Sequence, residues 1–545
     1  MTSSLRKIHL RRLTKQAVVA FLIATISGVF APVAWAQANR SQLPDLGDNS
    51  ELTSSAERRM GDRIAREIYR DPDYIDDPVL LEYVLSVWQP LLAAARLRGD
   101  LPAELDGRFA FEVMLGKDRS VNAFALPGGY LGLHLGLLAV VNNRDELASV
   151  LAHELSHVTQ RHISRLISKQ NAQTPWAIGA MILGVLAASK SAEAANALIV
   201  GGQAVAQQAQ LNFSRDMERE ADRIGFGVMA QAGFEPRGFV TMFDKLQQSN
   251  RLSDNGAFPY LRSHPLTTER IADMQSRIPP SAGVSAQSPT SGKLAQAMLT
   301  ARAQVLSNSG VDALRTWAGL AAPIPLQPAA NLSMEERSRQ ALTLYGAALA
   351  ASRLRDFTGA AAQLVKLSAL TKSDDAAARL HRLLAAELAL AADDVPQAAT
   401  HLAVNETVLK TLAVAPDDRA GGQPVKVGRP EVILGASAAI RAGRASEAAE
   451  RLQTWVAAYP RDAQAWQLLS SAHAALGKSL RAIRADAESQ VALLDYPAAA
   501  DRFKAAQELA RELARKGQAD HIEASIIDSR TRQVAVLLRE QAVER

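Results

Sequence analysis

The stretch Leu151-Ala-His-Glu-Leu-Ser-His-Val-Thr-Gln160 constrains this chain more than any other. The run leading into it, Arg144-Asp-Glu-Leu-Ala-Ser-Val-Leu-Ala152, lacks Pro and Gly and spaces its apolar residues as a buried helix does. On a helix His153 and His157 project from one face, about one turn apart. Two neutral imidazoles so placed can share one zinc ion at about 2.0–2.1 Å. Glu154 lies about 100° round the helix, beside such a metal rather than on it, where a general base for a metal-bound water should stand. The pattern is short, and a match of this length also arises by accident. Its weight comes from its surroundings.

The chain has no cysteine. Disulfides, thiol chemistry and Cys-ligated metals are excluded, so any metal must be held by His and carboxylate. Downstream, Phe213-Ser-Arg-Asp-Met-Glu218-Arg-Glu-Ala-Asp222-Arg-Ile-Gly225 puts Glu218 and Asp222 on one helix face. One can ligate the metal while the other accepts the N–H of a ligand histidine and fixes its tautomer. The remaining histidines are weaker candidates. His134 sits near a strand end and His162 one turn past the pair, while His381, His401, His473 and His521 fall in the second half. His264 is a lone histidine before a proline in a loop.

At 545 residues the chain is too long for one core and implies two or three domains. Residues 1–36 read as an export signal. Arg6, Lys7, Arg11, Arg12 and Lys15 make a basic start, Ala17–Phe30 is mainly apolar, and Ala34-Trp35-Ala36 is a cleavage site. That signal takes five of the 61 basic residues, leaving 56 to balance 56 acidic ones, so nothing calls for nucleic acid.

After the signal, helices are expected at 54–69 and 78–98. Strands at 108–115, 121–126 and 130–134, the last two joined by Pro127-Gly128-Gly129, make a small antiparallel sheet before the metal-binding helix. Its edge strand is either plain core or a partner for an extended peptide. The apolar stretch 174–209 is too short in its unbroken part to cross a bilayer, which takes about 20 residues. It is a buried helix, or an element that covers the cleft or makes peripheral membrane contact. Residues 279–293 have a linker's composition. Beyond them Ala/Leu/Arg-rich helices with breaks suggest stacked hairpins: Gly443 and Gly477 are 34 residues apart, and Trp466 and Leu469 supply a Trp-x-x-Leu. Ser470 and His473 replace the usual Gly and Tyr, and loop 415–430 interrupts the array. Such solenoids present concave faces to partners.

The His153-Glu154-x-x-His157 motif, the Glu218-x-x-Ala221-Asp222 element and Ser263-His264-Pro265-Leu266 together resemble the HtpX/Oma-type zinc metallopeptidases, in particular periplasmic members with a helical-repeat C-terminus. The resemblance is strong from about residue 45 through the first half and loose beyond. It implies an α+β zincin-like metallopeptidase domain over 37–278, followed by an all-α tetratricopeptide-like solenoid over 294–545. It further implies Zn2+ on His153, His157 and Glu218, with Asp222 behind them and Glu154 as base. His264 would approach the metal and fill its open position at rest. The implied substrates are misfolded or unassembled outer-membrane proteins, and the implied partner, reached through the repeats, is the outer-membrane assembly machinery. A chaperone with a mostly latched protease site, or a repeat-only adaptor carrying an accidental motif, are the competing expectations.

Overall fold

The computed structural model describes residues 52–169, 214–252, 260–278, 292–326, 330, 332–402 and 428–543. The expected signal at 1–36, the apolar segment 174–209, and most of the expected linker and of loop 415–430 lie outside those residues. The first half begins with α1 (Ser54–Arg70), β1 (Tyr74–Ile75), α2 (Pro78–Arg98) and α3 (Ala103–Arg108). The strands β2 (Glu112–Gly116), β3 (Ala123–Leu126) and β4 (Tyr130–His134) follow. Then come α4 (Leu135–Leu138), α5 (Arg144–Thr159), α6 (His162–Lys169), α7 (Arg215–Gln231), α8 (Arg237–Leu252), α9 (Tyr260–Ser263) and α10 (Thr268–Arg277).

Helix α2 starts where its sequence dictates. Asp77 caps it by accepting the Leu80 N–H at 2.9 Å, Pro78 occupies its first turn, and left-handed Gly99 closes it. It is long and apolar enough to cross a bilayer, yet more than half of it is buried within the protein. It is a core helix. Helix α5 is enclosed still more completely, with every residue from Glu146 to Thr159 buried. A helix wrapped on all sides loses the amphipathic stripe that surface helices carry.

The sheet corrects the expectation of an antiparallel one: it is mixed. Its order is β1-β2-β4-β3, with β2 and β4 parallel and the other neighbours antiparallel. The Pro127–Gly129 turn does join β3 and β4 as a hairpin. However, the segment 117–122 first carries the chain past the middle of the sheet to its edge, so β3 is the edge strand and β4 returns beside β2. Two reversals separate β2 from β4, and they therefore run the same way. The strand expected at 108–115 forms only over Glu112–Gly116, because α3 holds the chain helical to Arg108. Helix α1 packs on the hairpin turn so closely that a Cβ on Gly61 would stand 2.0 Å from the Pro127 carbonyl oxygen.

Beyond the linker every described element is helical. These are α11 (Lys293–Ser307), α12 (Val311–Leu320), α13 (Met334–Arg353), α14 (Phe357–Thr371), α15 (Asp375–Ala391), α16 (Val395–Leu402), α17 (Arg429–Arg441), α18 (Ala445–Ala458), α19 (Ala463–Ala475), α20 (Ser479–Ala492), α21 (Tyr496–Arg515) and α22 (His521–Val543). The near end of this array shares one apolar core with α2, α4 and the sheet, running through Leu294, Met298, Leu344 and Leu384. Three arginines converge on the start of α2. Buried Arg302 chelates Asp77 at 2.6–3.0 Å, Arg379 pairs with Glu82 at 2.6 Å, and Arg429 with Asp76 at 2.6 Å. The far end touches the first half again, where Arg66 donates to the Leu494 carbonyl at 2.9 Å and Arg70 pairs with Asp495 at 3.0 Å.

Candidate metal centre

Four side chains from three separate segments meet in the interior. His153 and His157 come from α5, Glu218 from the first turn of α7, and His264 from the loop after α9, and all four are about 1% exposed. One donor atom from each lies within 4.8 Å of the others. His153 Nε2 is 3.0 Å from His157 Nε2 and 3.3 Å from His264 Nδ1. Glu218 Oε1 is 3.0 Å from His264 Nδ1 and 3.4 Å from His157 Nε2. Donors bound to one tetrahedral zinc at about 2.0–2.1 Å stand about 3.3 Å from each other. The separations match that edge length, and three nitrogens with one carboxylate form a donor set zinc accepts. The residues fit the ion, and Zn2+ is the cofactor this cluster is built for.

The local sequence explains the convergence. Asn143 caps α5 through the Glu146 N–H, and Ser214 caps α7 through the Met217 N–H, which places Glu218 one residue further on. Where α7 crosses α5 the two backbones nearly touch. A Cβ on Gly225 would lie 3.0–3.1 Å from Ala152 and His153, so the absence of a side chain there lets Glu218 reach across.

Behind the ligands stand polar partners. With Nε2 turned toward the cluster, His153 Nδ1–H donates to Asp222 Oδ1 at 2.9 Å. Asp222 is clamped by Arg270, whose Nε and Nη2 donate at 2.6 and 2.8 Å. Arg270 also pairs with Glu218 at 2.8 Å. The other ligand histidine is held differently: His157 Nδ1 lies 2.8 Å from His162 Nδ1, and His162 Nε2 lies 3.2 Å from Glu220 Oε2. The two oxygens of Glu154 differ. Oε2 accepts the N–H of Ala125 on the edge strand β3 at 2.9 Å, while Oε1 accepts no hydrogen bond from the described residues and stands 3.5 Å from His264 Nε2. Tyr260 stacks on the His264 ring at 4.7 Å, and its N–H donates to the Val121 carbonyl, which fastens this loop beside the edge strand.

The electrostatics follow from burial opposed by pairing. Burial disfavours charge on His153, but Asp222 and Glu218 outweigh it and raise its pKa to about 10. On His157 burial prevails and the pKa falls well below the ordinary histidine value. Burial likewise raises Glu154, partly countered by His264 and His153. For Glu218, burial is overcome by His264 and by hydrogen bonds from His153, His157 and His264, and its pKa drops well below the carboxylate range.

All the residues singled out in sequence, His153, Glu154, His157, Glu218, Asp222 and His264, thus lie in one buried site. The sequence reading missed Arg270, the Ala125 amide and the placement of His162. Arg270 carries no local signal. His162 could be suspected only from its spacing, five residues past His157.

A profile of the Peptidase family M48 matches residues 93–278. Over 493 residues the chain is 31% identical to the beta-barrel assembly-enhancing protease of Escherichia coli K12, an alignment covering 88% of this chain and 89% of that one. A Vibrio cholerae relative is 37% identical over 246 residues, spanning 45% of this chain and 49% of its own. The mitochondrial metalloendopeptidase OMA1 of Saccharomyces cerevisiae is 31% identical over 180 residues, 32% of this chain and 49% of that one.

Proposed function

The chain belongs to the beta-barrel assembly-enhancing proteases of peptidase family M48 and is a zinc metalloendopeptidase, and from that premise we propose that it works in the periplasm on misfolded or stalled outer-membrane proteins. The observation that carries this reading is the buried His153–His157–Glu218–His264 cluster with Glu154 beside it. His153, His157 and Glu218 would hold the ion, and zinc bound there would supply Lewis acidity to a water and to a peptide carbonyl. Glu154 takes the proton of the attacking water and passes it to the leaving amine. Its Oε2 is fixed by the Ala125 amide, which leaves Oε1 as the oxygen that would take the proton. The edge strand β3, directly above the site, suits an extended peptide added as a further strand.

The remaining parts of the reading rest on sequence and on the relatives' name. Export would follow cleavage after Ala36, and 174–209 would cover the cleft or contact the membrane. A linker at 279–293 would separate the peptidase domain from a tetratricopeptide-like array that docks the outer-membrane assembly machinery. The burial of Trp466 and Leu469 at their expected positions supports that view of the array. One observation favours a second reading, an assembly chaperone whose protease site is mostly latched: His264 Nδ1 stands at the fourth corner of the cluster and its Nε2 faces Glu154.

The test is cleavage of an unfolded protein by residues 37–545, wild type beside Glu154→Gln, with bound zinc quantified in both. About one zinc per chain in both, and a loss of at least about a hundredfold in cleavage for Glu154→Gln, is expected for a general base. Absence of zinc from the wild type would remove the central claim. Zinc without cleavage in either protein supports the latched reading, in which case His264→Ala restores cleavage.

A further inference from the structure

The two ligand histidines are braced unequally, and the second brace has no role in the account above. His153 reaches its carboxylate directly. The Nδ1 of His157 reaches one through another imidazole, the chain being His157 Nδ1, His162 Nδ1 at 2.8 Å, His162 Nε2, then Glu220 Oε2 at 3.2 Å, with Arg165 donating to the same oxygen at 2.9 Å. When His157 presents Nε2 to the ion its Nδ1 must carry the proton, so His162 Nδ1 accepts and its Nε2–H donates to Glu220. One tautomer of each ring satisfies the whole chain, and the opposite set leaves Glu220 facing a bare lone pair. The fold invests in this placement. Arg161, between α5 and α6, takes the left-handed region at φ 51°, which turns the chain so that the next residue comes back against the metal-binding helix. That bend is held by Arg161 bonds to Glu57, Ser164 and the Leu52 carbonyl. His162 itself is fully buried, and both carboxylate braces, Glu220 and Asp222, come from α7, the helix that supplies ligand Glu218.

We propose that His162 is a positioning residue that couples Glu220 to the zinc ligand His157, fixing the ligand's tautomer and ring orientation and raising its affinity for the metal. The proposal rests on His157 being a zinc ligand. It distinguishes this histidine from a packing residue, because a packing residue needs its volume and not its two nitrogens.

The experiment is competition for zinc against a chromophoric chelator, using residues 37–545 carrying His162→Phe, His162→Gln or Glu220→Gln, with melting of each metal-free protein alongside. His162→Phe keeps volume and removes the acceptor, and zinc affinity should fall about 10- to 100-fold. Glu220→Gln, at a partly exposed carboxylate, should weaken zinc in the same direction by less, with metal-free melting unchanged. His162→Gln retains an acceptor and a donor and should recover part of the loss. Equal zinc affinity in wild type, His162→Phe and Glu220→Gln overturns the coupling. Equal losses in His162→Phe and His162→Gln that track lower metal-free melting overturn it too, in favour of packing. A wild type that binds no zinc overturns instead the ligand reading on which the coupling depends.

Discussion

Arg270 is 3% exposed and touches no expected ligand atom except Glu218, yet it makes the carboxylate-rich wall of the metal centre tolerable. Two buried carboxylates a helical turn apart repel each other and lose their hydration, and a guanidinium with fixed bidentate geometry offsets both costs. At this scale the sequence was readable where partners are local. His153, Glu154 and His157 lie within one helical turn and declare their shared face, and Glu218 and Asp222 do the same on theirs. Arg270 lies 48 residues beyond Asp222, and nothing in a local pattern marks so distant a partner. His473 makes the complementary point. It stands where the sequence pattern leads one to expect a Tyr, is 2% exposed, and among the described residues neither ring nitrogen has a hydrogen-bond partner. Burial, aided by Arg481, Arg484 and Lys478, holds its pKa near 4. The unfolded chain therefore takes up a proton near pH 6.5 that the folded chain refuses until about pH 4. This residue's contribution to stability is intact above pH 6.5 and is lost progressively as pH falls from 6.5 to 4. Urea midpoints at pH 7 and pH 5 should drop less for His473→Leu than for the wild type, and equal drops would refute the assignment.

Among elements, the β3–β4 hairpin is the piece on which the chemistry hangs, since its edge amide orients Glu154. Its position is fixed from below by α1, which can approach only because residue 61 is glycine. Gly61→Ala should push the turn away and cost about 1–3 kcal/mol, the range for overpacking a tight contact. It should also lower cleavage several-fold more than it lowers zinc content, because the ligands do not sit on the hairpin. Thermal melting, turnover and metal content measured on the same preparation check this; a proportionate fall in all three would show general unfolding instead. The hairpin itself was legible, since Pro127-Gly128-Gly129 between two apolar runs specifies a reversal. The parallel pairing of β2 with β4 was not. Strand order depends on where the six residues 117–122 deliver the chain, and apolar alternation carries no information about neighbours. Helices fared better: α2 begins and ends where Asp77, Pro78 and Gly99 place it.

At the level of the whole molecule, the helical array meets the peptidase half twice, by chemically different means. Near the linker the union is an apolar core reinforced by the buried Arg302–Asp77 pair. At the far end half-exposed polar links, Arg70 to Asp495 and Arg461 to Glu112 at 3.3 Å, accompany the bond from buried Arg66 to Leu494, whose side chain packs against the apolar cluster of Met60, Ile64 and Tyr130. Buried pairs are screened little by salt, whereas exposed ones lose most of their attraction beyond a Debye length of about 3 Å at 1 M. The near attachment is therefore insulated from ionic strength, whereas the charged part of the far one responds to it. At the far contact itself, against Glu112, Arg461 and Leu494, lies a cavity of 420 Å3 whose walls also include Arg58, Trp466 and Tyr496. Small-angle scattering should show the radius of gyration growing as salt rises from 0.05 to 1 M while the urea midpoint stays level, about as expected when links worth about 0–1 kcal/mol each give way. A radius independent of salt would mean that the Arg66 bond and the packing of Leu494 hold the far end without its charges. The two attachments differ in what loosens them: salt acts on the charges of the far one and leaves the apolar core of the near one in place.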